Sequence, residues 1–208
     1  MAAASPWPLI HAEREALAAD LATLDSAGWA TRSLCGEWSV REVLGHLIAT
    51  AKMTPLRFLA ELAGSGFRFN AMTAKDVSRE TAGPPAQSLA EFRRLATATS
   101  HPPGPVDSWL GESIIHGEDI RRPLGITRDY PIAAVIRVGN FYKGSNALIG
   151  AKRRITGLSL RATDAEWGTG SGPEVSGPAL SLVMAMTGRA AALDDLSGDG
   201  LAMLRSRC

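Results

Sequence analysis

Trp38-Ser39-Val40-Arg41-Glu42-Val43-Leu44-Gly45-His46-Leu47-Ile48 reads as the start of a firmly anchored helix. Ser39 and Glu42 have the spacing of a capping box, in which the hydroxyl and the carboxylate each satisfy a backbone N–H that helix geometry leaves free. Trp38 and Val43 are placed to clasp across that first turn as a hydrophobic staple. Val43, Leu44, Leu47, Ile48 and Ala51 then recur at helical spacing. His46 falls about two turns inside the helix, an imidazole in an otherwise apolar run. Pro55 ends or kinks the helix before Leu56, Leu59 and Leu62 resume the pattern.

Working outward, the same periodicity marks more helices. Ile10, Leu17, Leu21 and Leu24 predict an amphipathic helix from about Trp7 to Asp25. Ser88 and Glu91 repeat the capping-box spacing and predict a helix start that turns Leu89, Phe92 and Leu95 inward. The region from Gly64 to Pro85 is mixed and carries no clear period. Pro102-Pro103-Gly104-Pro105 breaks the chain before a helix that Pro123 and Gly125 close, and Tyr130-Pro131 opens a fifth helix toward Ile149. The simplest assembly is a mainly α fold, a four-helix bundle over 1–150 followed by a small α+β C-terminal domain over 151–208. In the second part Ile155, Leu158, Leu160 and Ala162 alternate as a strand would, Gly168–Gly172 reads as loop, and Gly177-Pro178 starts another helix that Gly188 can end. The Gly168–Gly172 run does not lead from a strand into a helix, so it carries no phosphate-binding expectation.

Composition narrows the partners. With 22 basic and 21 acidic side chains among 208 residues, no electrostatic footprint for nucleic acid or an anionic membrane stands out. Apolar runs fall short of the roughly 20 residues a membrane span needs. The start Met1-Ala2-Ala3-Ala4-Ser5-Pro6 lacks a basic segment followed by a cleavable apolar one, so a soluble cytoplasmic protein is expected. Two cysteines, Cys35 and Cys208, make neither a disulfide framework nor a Cys-x-x-Cys pair.

The chemistry-bearing residues lie on the helix between Pro105 and Pro123. There Trp109, Glu112, His116 and Asp119 follow one another by three- and four-residue steps and share a face. With His46 from the Ser39 helix, Glu112 and His116 form a two-imidazole, one-carboxylate set, the pattern of a zinc centre with one position open. Asp119 is placed to hold the second ring nitrogen of His116. Each residue also has a plain structural reading: Glu-x-x-x-His is a common surface pair, and a single histidine on an apolar face is often a satisfied core residue. Glu118, Asp119, Arg121 and Arg122 read as a solvated charge network near a helix end. Lys143 and Lys152-Arg153-Arg154 suit an anion or a favourable helix-dipole contact. Cys35 beside the Ser39 helix start is either a nucleophile or a packed cysteine, and the absence of a nearby histidine in sequence favours the packed reading.

Leu34-Cys35-Gly36-Glu37-Trp38-Ser39-Val40-Arg41-Glu42-Val43-Leu44-Gly45-His46-Leu47, with His116-Gly117-Glu118-Asp119-Ile120-Arg121-Arg122-Pro123-Leu124-Gly125 downstream, resembles the mycothiol-dependent maleylpyruvate isomerase family of the DinB-like superfamily. The tail is similar to that family's small C-terminal domain through Leu160-Arg161-Ala162-Thr163-Asp164, Gly172-Pro173-Glu174-Val175, Gly177-Pro178-Ala179 and Leu196-Ser197-Gly198-Asp199-Gly200. Here Gly36-Glu37 stands where members usually have Pro-Gly. The resemblance implies a DinB-like bundle whose divalent metal, most simply Zn2+, is held by His46, Glu112 and His116. It implies mycothiol as thiol cosubstrate and a small electrophile as substrate, with cis-trans isomerisation or thiol S-transfer as the reaction. Arg68 and Arg79 are the candidate arginines for an acidic substrate. The competing reading is a non-catalytic metal- or ligand-binding protein on the same bundle.

Overall fold

A computed structural model describes residues 4–147 and 149–208, and the first residues of the N-terminal stretch read above lie outside the described ones. The chain divides into two compact units, Met1–Arg128 and Asp129–Cys208. The first unit carries α1 (Trp7–Leu21), α2 (Ser26–Ala30), α3 (Val40–Lys52), α4 (Pro55–Gly64), α5 (Phe69–Glu80), α6 (Pro85–Arg94) and α7 (Val106–Arg121). Helix α1 packs on α7, α7 on α3, α3 on α6 and α6 on α1, which closes a four-helix ring; α5 lies against α3 outside it.

The core of this ring is the apolar stripe that the sequence pattern exposes. Leu17 and Leu21 of α1, Val43, Leu44, Leu47 and Ile48 of α3, Leu89 and Phe92 of α6 and Ile120 of α7 form one buried cluster. The capping box at the start of α3 is fully made: Ser39 accepts from the Glu42 N–H, and the Ser39 N–H donates to Glu42 Oε2 at 2.8 Å. Trp38 packs on the cluster that contains Val43. Helix α3 ends at Lys52, and Pro55 opens α4 after an extended Met53.

The second Ser-x-x-Glu pattern behaves differently. Helix α6 begins at Pro85, a turn earlier than expected, so Ser88 lies inside it and donates instead to the Glu80 carbonyl at 2.8 Å. Proline at the first helical position accounts for this, since its fixed φ and missing N–H suit that place. The mixed region between Gly64 and Pro85 contains α5. Helix α5 reaches α3 at Gly45, where a Cβ would meet Thr81 Cγ2 at 2.7 Å.

Helices α1 and α7 are also joined by charge. Arg121 is fully buried and its Nε donates to Asp20 at 2.7 Å. Arg128, just beyond α7, grips Glu13 through two nitrogens at 3.0 and 3.1 Å. Glu118, Asp119 and Arg121 are all buried. The solvated network expected near this helix end is therefore an internal one, because the end of α7 is covered by α1 and by the loop before α3.

The second unit begins with α8 (Ile132–Tyr142) and α9 (Ala151–Arg154), then β1 (Ser159–Ala162), β2 (Gly168–Gly170), β3 (Glu174–Gly177), α10 (Ala179–Met186) and α11 (Leu201–Arg205). The sheet order is β2-β1-β3, with β1 antiparallel to β2 and parallel to β3. Helix α10 is buried over most of its length and packs on both the sheet and α8. Helix α8 thus belongs with the second unit, and the contact division falls at Arg128/Asp129, not at the 150/151 junction read from sequence. Periodicity shows that a helix has an apolar face but not which core receives it. The glycine run, read as loop, contributes edge strand β2; at Gly168 a Cβ would come within 2.9 Å of the Leu160 carbonyl. The whole is mainly α with a small α+β part after the bundle. Among the described residues no helix is long and apolar enough to cross a membrane.

Candidate metal centre

The capped start of α3 and the proline-led start of α7 bring His46, Glu112 and His116 into one place. His46 Nε2 lies 3.9 Å from Glu112 Oε2, and the His46 and His116 rings meet edge-on with centroids 5.0 Å apart. Trp38 backs the His46 ring, centroid to centroid 5.3 Å. His46, Glu112 and His116 retain 17%, 15% and 14% of their side-chain surface, so the cluster is largely desolvated without being sealed.

Asp119 sits one turn beyond His116 on α7, wholly buried, with Oδ2 2.9 Å from His116 Nδ1. That contact fixes the orientation of the His116 ring, with Asp119 on the ring nitrogen where the sequence placed it. Burial would lower the His116 pKa, but hydrogen bonding by Asp119 and by Cys35 outweighs it and pushes the imidazole up to about 10. Burial pushes the Glu112 carboxyl above its ordinary range, opposed by the charges of His116 and Arg14 and by a hydrogen bond from Thr50. Thr50 stands one turn after His46 on α3, and Arg14 enters from α1 with Nη1 donating to the Ala98 carbonyl at 2.8 Å.

These residues fit a divalent cation. Two imidazoles and a carboxylate are a zinc donor set, and a buried acid whose ionised form is opposed by burial gains from a cation at that point. One donor atom from each of Cys35, His116 and Asp119 also lies within 4.8 Å of the others. Sequence reading missed Cys35 as a member of this cluster. It packs against the core edge, as expected, and also hydrogen-bonds with His116.

The candidate substrate arginines are held elsewhere. Arg79 is committed to carboxylates, Asp76 at 2.6 Å, Glu80 at 3.3 Å and Glu61 at 3.7 Å. Arg68 is exposed at the residue that precedes α5. In the second unit, a cavity of about 470 Å³ is lined by Gly150, Arg153, Arg154, Thr156 and Arg207. Arg154 there donates to the carbonyls of Ile149, Met186 and Arg207 at 3.0, 2.7 and 3.0 Å, which makes it a structural tie.

A four-helix ring with a partly buried His/Glu/His cluster defines the class as a helical bundle with a candidate metal centre. Residues 10–120 match the mycothiol maleylpyruvate isomerase N-terminal domain, and the chain belongs to that family. Two solved structures share the fold. One, described as the mycothiol-dependent maleylpyruvate isomerase, has a TM-score of 0.64 and 16% identity, covering 93% of this chain and 91% of that one. The other, a histidine-to-alanine mutant of the mycothiol-dependent maleylpyruvate isomerase, has a TM-score of 0.63 at the same identity and coverage. No curated protein matches the chain.

Proposed function

We propose that this chain is a metal-dependent enzyme that activates mycothiol for attack on a small electrophile. The observation that supports this best is the convergence of His46, Glu112 and His116 from two helices, with Asp119 on the far nitrogen of His116. The three side chains would hold a divalent ion, most simply Zn2+, with a coordination position left for a thiol. When bound, such an ion supplies positive charge that favours a thiolate well below the ordinary thiol pKa of about 8.5. The chain's own part is to fix that geometry. Asp119 keeps the His116 tautomer and ring orientation, and burial pushes the Glu112 carboxyl up, only partly offset by His116, Arg14 and Thr50, so a cation would be needed to hold it ionised.

A thiolate presented here attacks an electron-poor cis double bond. Its lone pair makes a C–S bond, while the π electrons move onto the conjugated carbonyl as an enolate. Rotation about the resulting single bond and return of the enolate electrons re-form the double bond as trans and expel the thiolate. Maleylpyruvate, the substrate named for the structural relatives, has this chemistry. If a proton reaches the enolate carbon first, the product is the thioether, and the enzyme is an S-transferase acting in the cytoplasm.

The test is incubation of the metal-loaded protein with mycothiol and a panel of electrophiles that includes maleylpyruvate, followed by mass analysis. A trans isomer or a mycothiol adduct is expected. No turnover together with no mycothiol binding would replace this reading with a non-catalytic metal-binding one.

A further inference from the structure

We propose that the cavity between α9 and the segment after α11 binds a small organic anion, a phosphate ester or a dicarboxylate, through the guanidinium groups of Arg153, Arg154 and Arg207. The site lies wholly within the second unit, and it does not rest on the metal reading above.

Arg154 and Arg207 are held rigid by neutral acceptors. Arg154 Nε donates to the Arg207 carbonyl at 3.0 Å, and Arg207 Nη1 donates back to the Arg154 carbonyl at 2.8 Å and to the Thr156 carbonyl at 2.7 Å. The bonds from Arg154 to the Ile149 and Met186 carbonyls fix its guanidinium further. These ties join the chain after α11 to α9, but a carbonyl carries no net charge, so both cations stay uncompensated. Nη2 of Arg154 and Nε and Nη2 of Arg207 are also left without a hydrogen bond to any described residue.

Arg153 has no such structural duty. Its backbone N–H donates to Asn146 Oδ1 at 2.8 Å, which fixes the base of the residue, whereas its side chain is exposed and bonds to none of the described residues. Gly150 makes room for it. With φ +63°, a left-handed value that glycine adopts without strain, Gly150 lets Arg153 Nη2 lie 3.5 Å from the place a Cβ would take. None of the described residues that line the cavity is acidic. Arg161 and Arg205 of the same unit face carboxylates instead, Glu174 at 3.8 Å and Asp194 at 3.6 Å. Like charges gathered without a counter-charge repel one another, and an anion in their midst removes that cost. A planar guanidinium offers parallel N–H donors to a carboxylate and to a phosphate alike. The cavity, about 470 Å³, falls within the range of about 300–1,000 Å³ usual for small-molecule sites, which leaves room for an organic body beside the anionic group.

Calorimetric titration of the full chain at fixed ionic strength, with glycerol phosphate and succinate as probes and sodium chloride as the monovalent control, tests the site. Saturable binding of at least one of the two dianions is expected, and the tighter of them names the class. Arg153→Gln should weaken that binding about tenfold or more, as the loss of a charged hydrogen bond does. Arg161→Gln removes one exposed charge from the same unit and should leave it unchanged. Phenylglyoxal labelling of the wild-type chain needs no variant: the bound dianion should protect Arg153 and not Arg161, read by mass analysis of the peptides. No saturable binding by the folded wild-type chain, or an equal loss in Arg161→Gln, overturns the site. Equal affinity in folded Arg153→Gln, the result for an anion held at the metal centre, overturns it too, as does labelling of Arg153 that neither dianion slows.

Discussion

His116 Nδ1 and Asp119 Oδ2 stand 2.9 Å apart on successive turns of α7, with the aspartate fully buried. A carboxylate in that position fixes which ring nitrogen is free and in which direction it points. Asp119→Asn keeps the volume and removes the charge. Metal affinity of the variant should fall about 10- to 100-fold while its circular dichroism stays that of the parent. Calorimetric titration measures the affinity, and an unchanged value would remove Asp119 from the role of orienter.

His46 is the one candidate ligand on α3, so if it binds the ion its loss should break the centre without unfolding the bundle. Elemental analysis of purified His46→Ala should drop from about one ion per chain to near none. Glu112→Gln should do the same, because it preserves shape and the Thr50 hydrogen bond but not the negative charge. Full metal content in either variant would exclude that residue from the ligand set.

The start of α3 was fully legible in the sequence, whereas the same pattern at Ser88 misled. Ser39 has nothing helical before it, so its hydroxyl is free to cap. Ser88 is preceded by Pro85, which starts α6 a turn earlier, and Glu91 turns instead to Lys52 at 2.8 Å and Arg94 at 2.8 Å. The three expected ligands could be named because each lies on a helix whose period fixes its face. The nearness of Cys35 to His116 and Asp119 could not be read, because its position depends on the Leu34 to Asp119 backbone bond between residues far apart in the chain. Helix α8 was visible as a helix, but its packing on α10 depends on which core takes its apolar face.

Gly45, beside His46, tests how closely α3 and α5 must approach. Gly45→Ala places a methyl 2.7 Å from Thr81 Cγ2, and the Val77 carbonyl is 3.4 Å away. Urea unfolding should show a loss of about 1–3 kcal/mol from overpacking. Adding Thr81→Ser removes the clashing methyl and keeps a hydroxyl able to bond the Val77 carbonyl, as Thr81 Oγ1 does at 2.8 Å. The double variant should recover most of the loss; no recovery would show that the backbone, not Thr81, sets the spacing.

Glu91 gives a pH dependence with a definite sign. Hydrogen bonds from Arg94 and then Lys52 hold its carboxyl down to about 2, against an ordinary value of 4.5. The folded state thus favours the ionised form. Its contribution is present above pH 4.5 and fades as pH falls toward 2. Glu91→Gln should lower Tm near neutral pH, and the gap to wild type should close as pH falls through that window. A gap that stays constant with pH would show that the ion pairs of Glu91 do not contribute to stability.

Zinc binding by the folded chain under competition from a chromophoric chelator tests the metal centre most directly. About one tightly held ion per wild-type chain, lost in His46→Ala and in His116→Ala alike, is the expected result. A wild-type chain that is folded and binds none, or one whose zinc is indifferent to both substitutions, would contradict it.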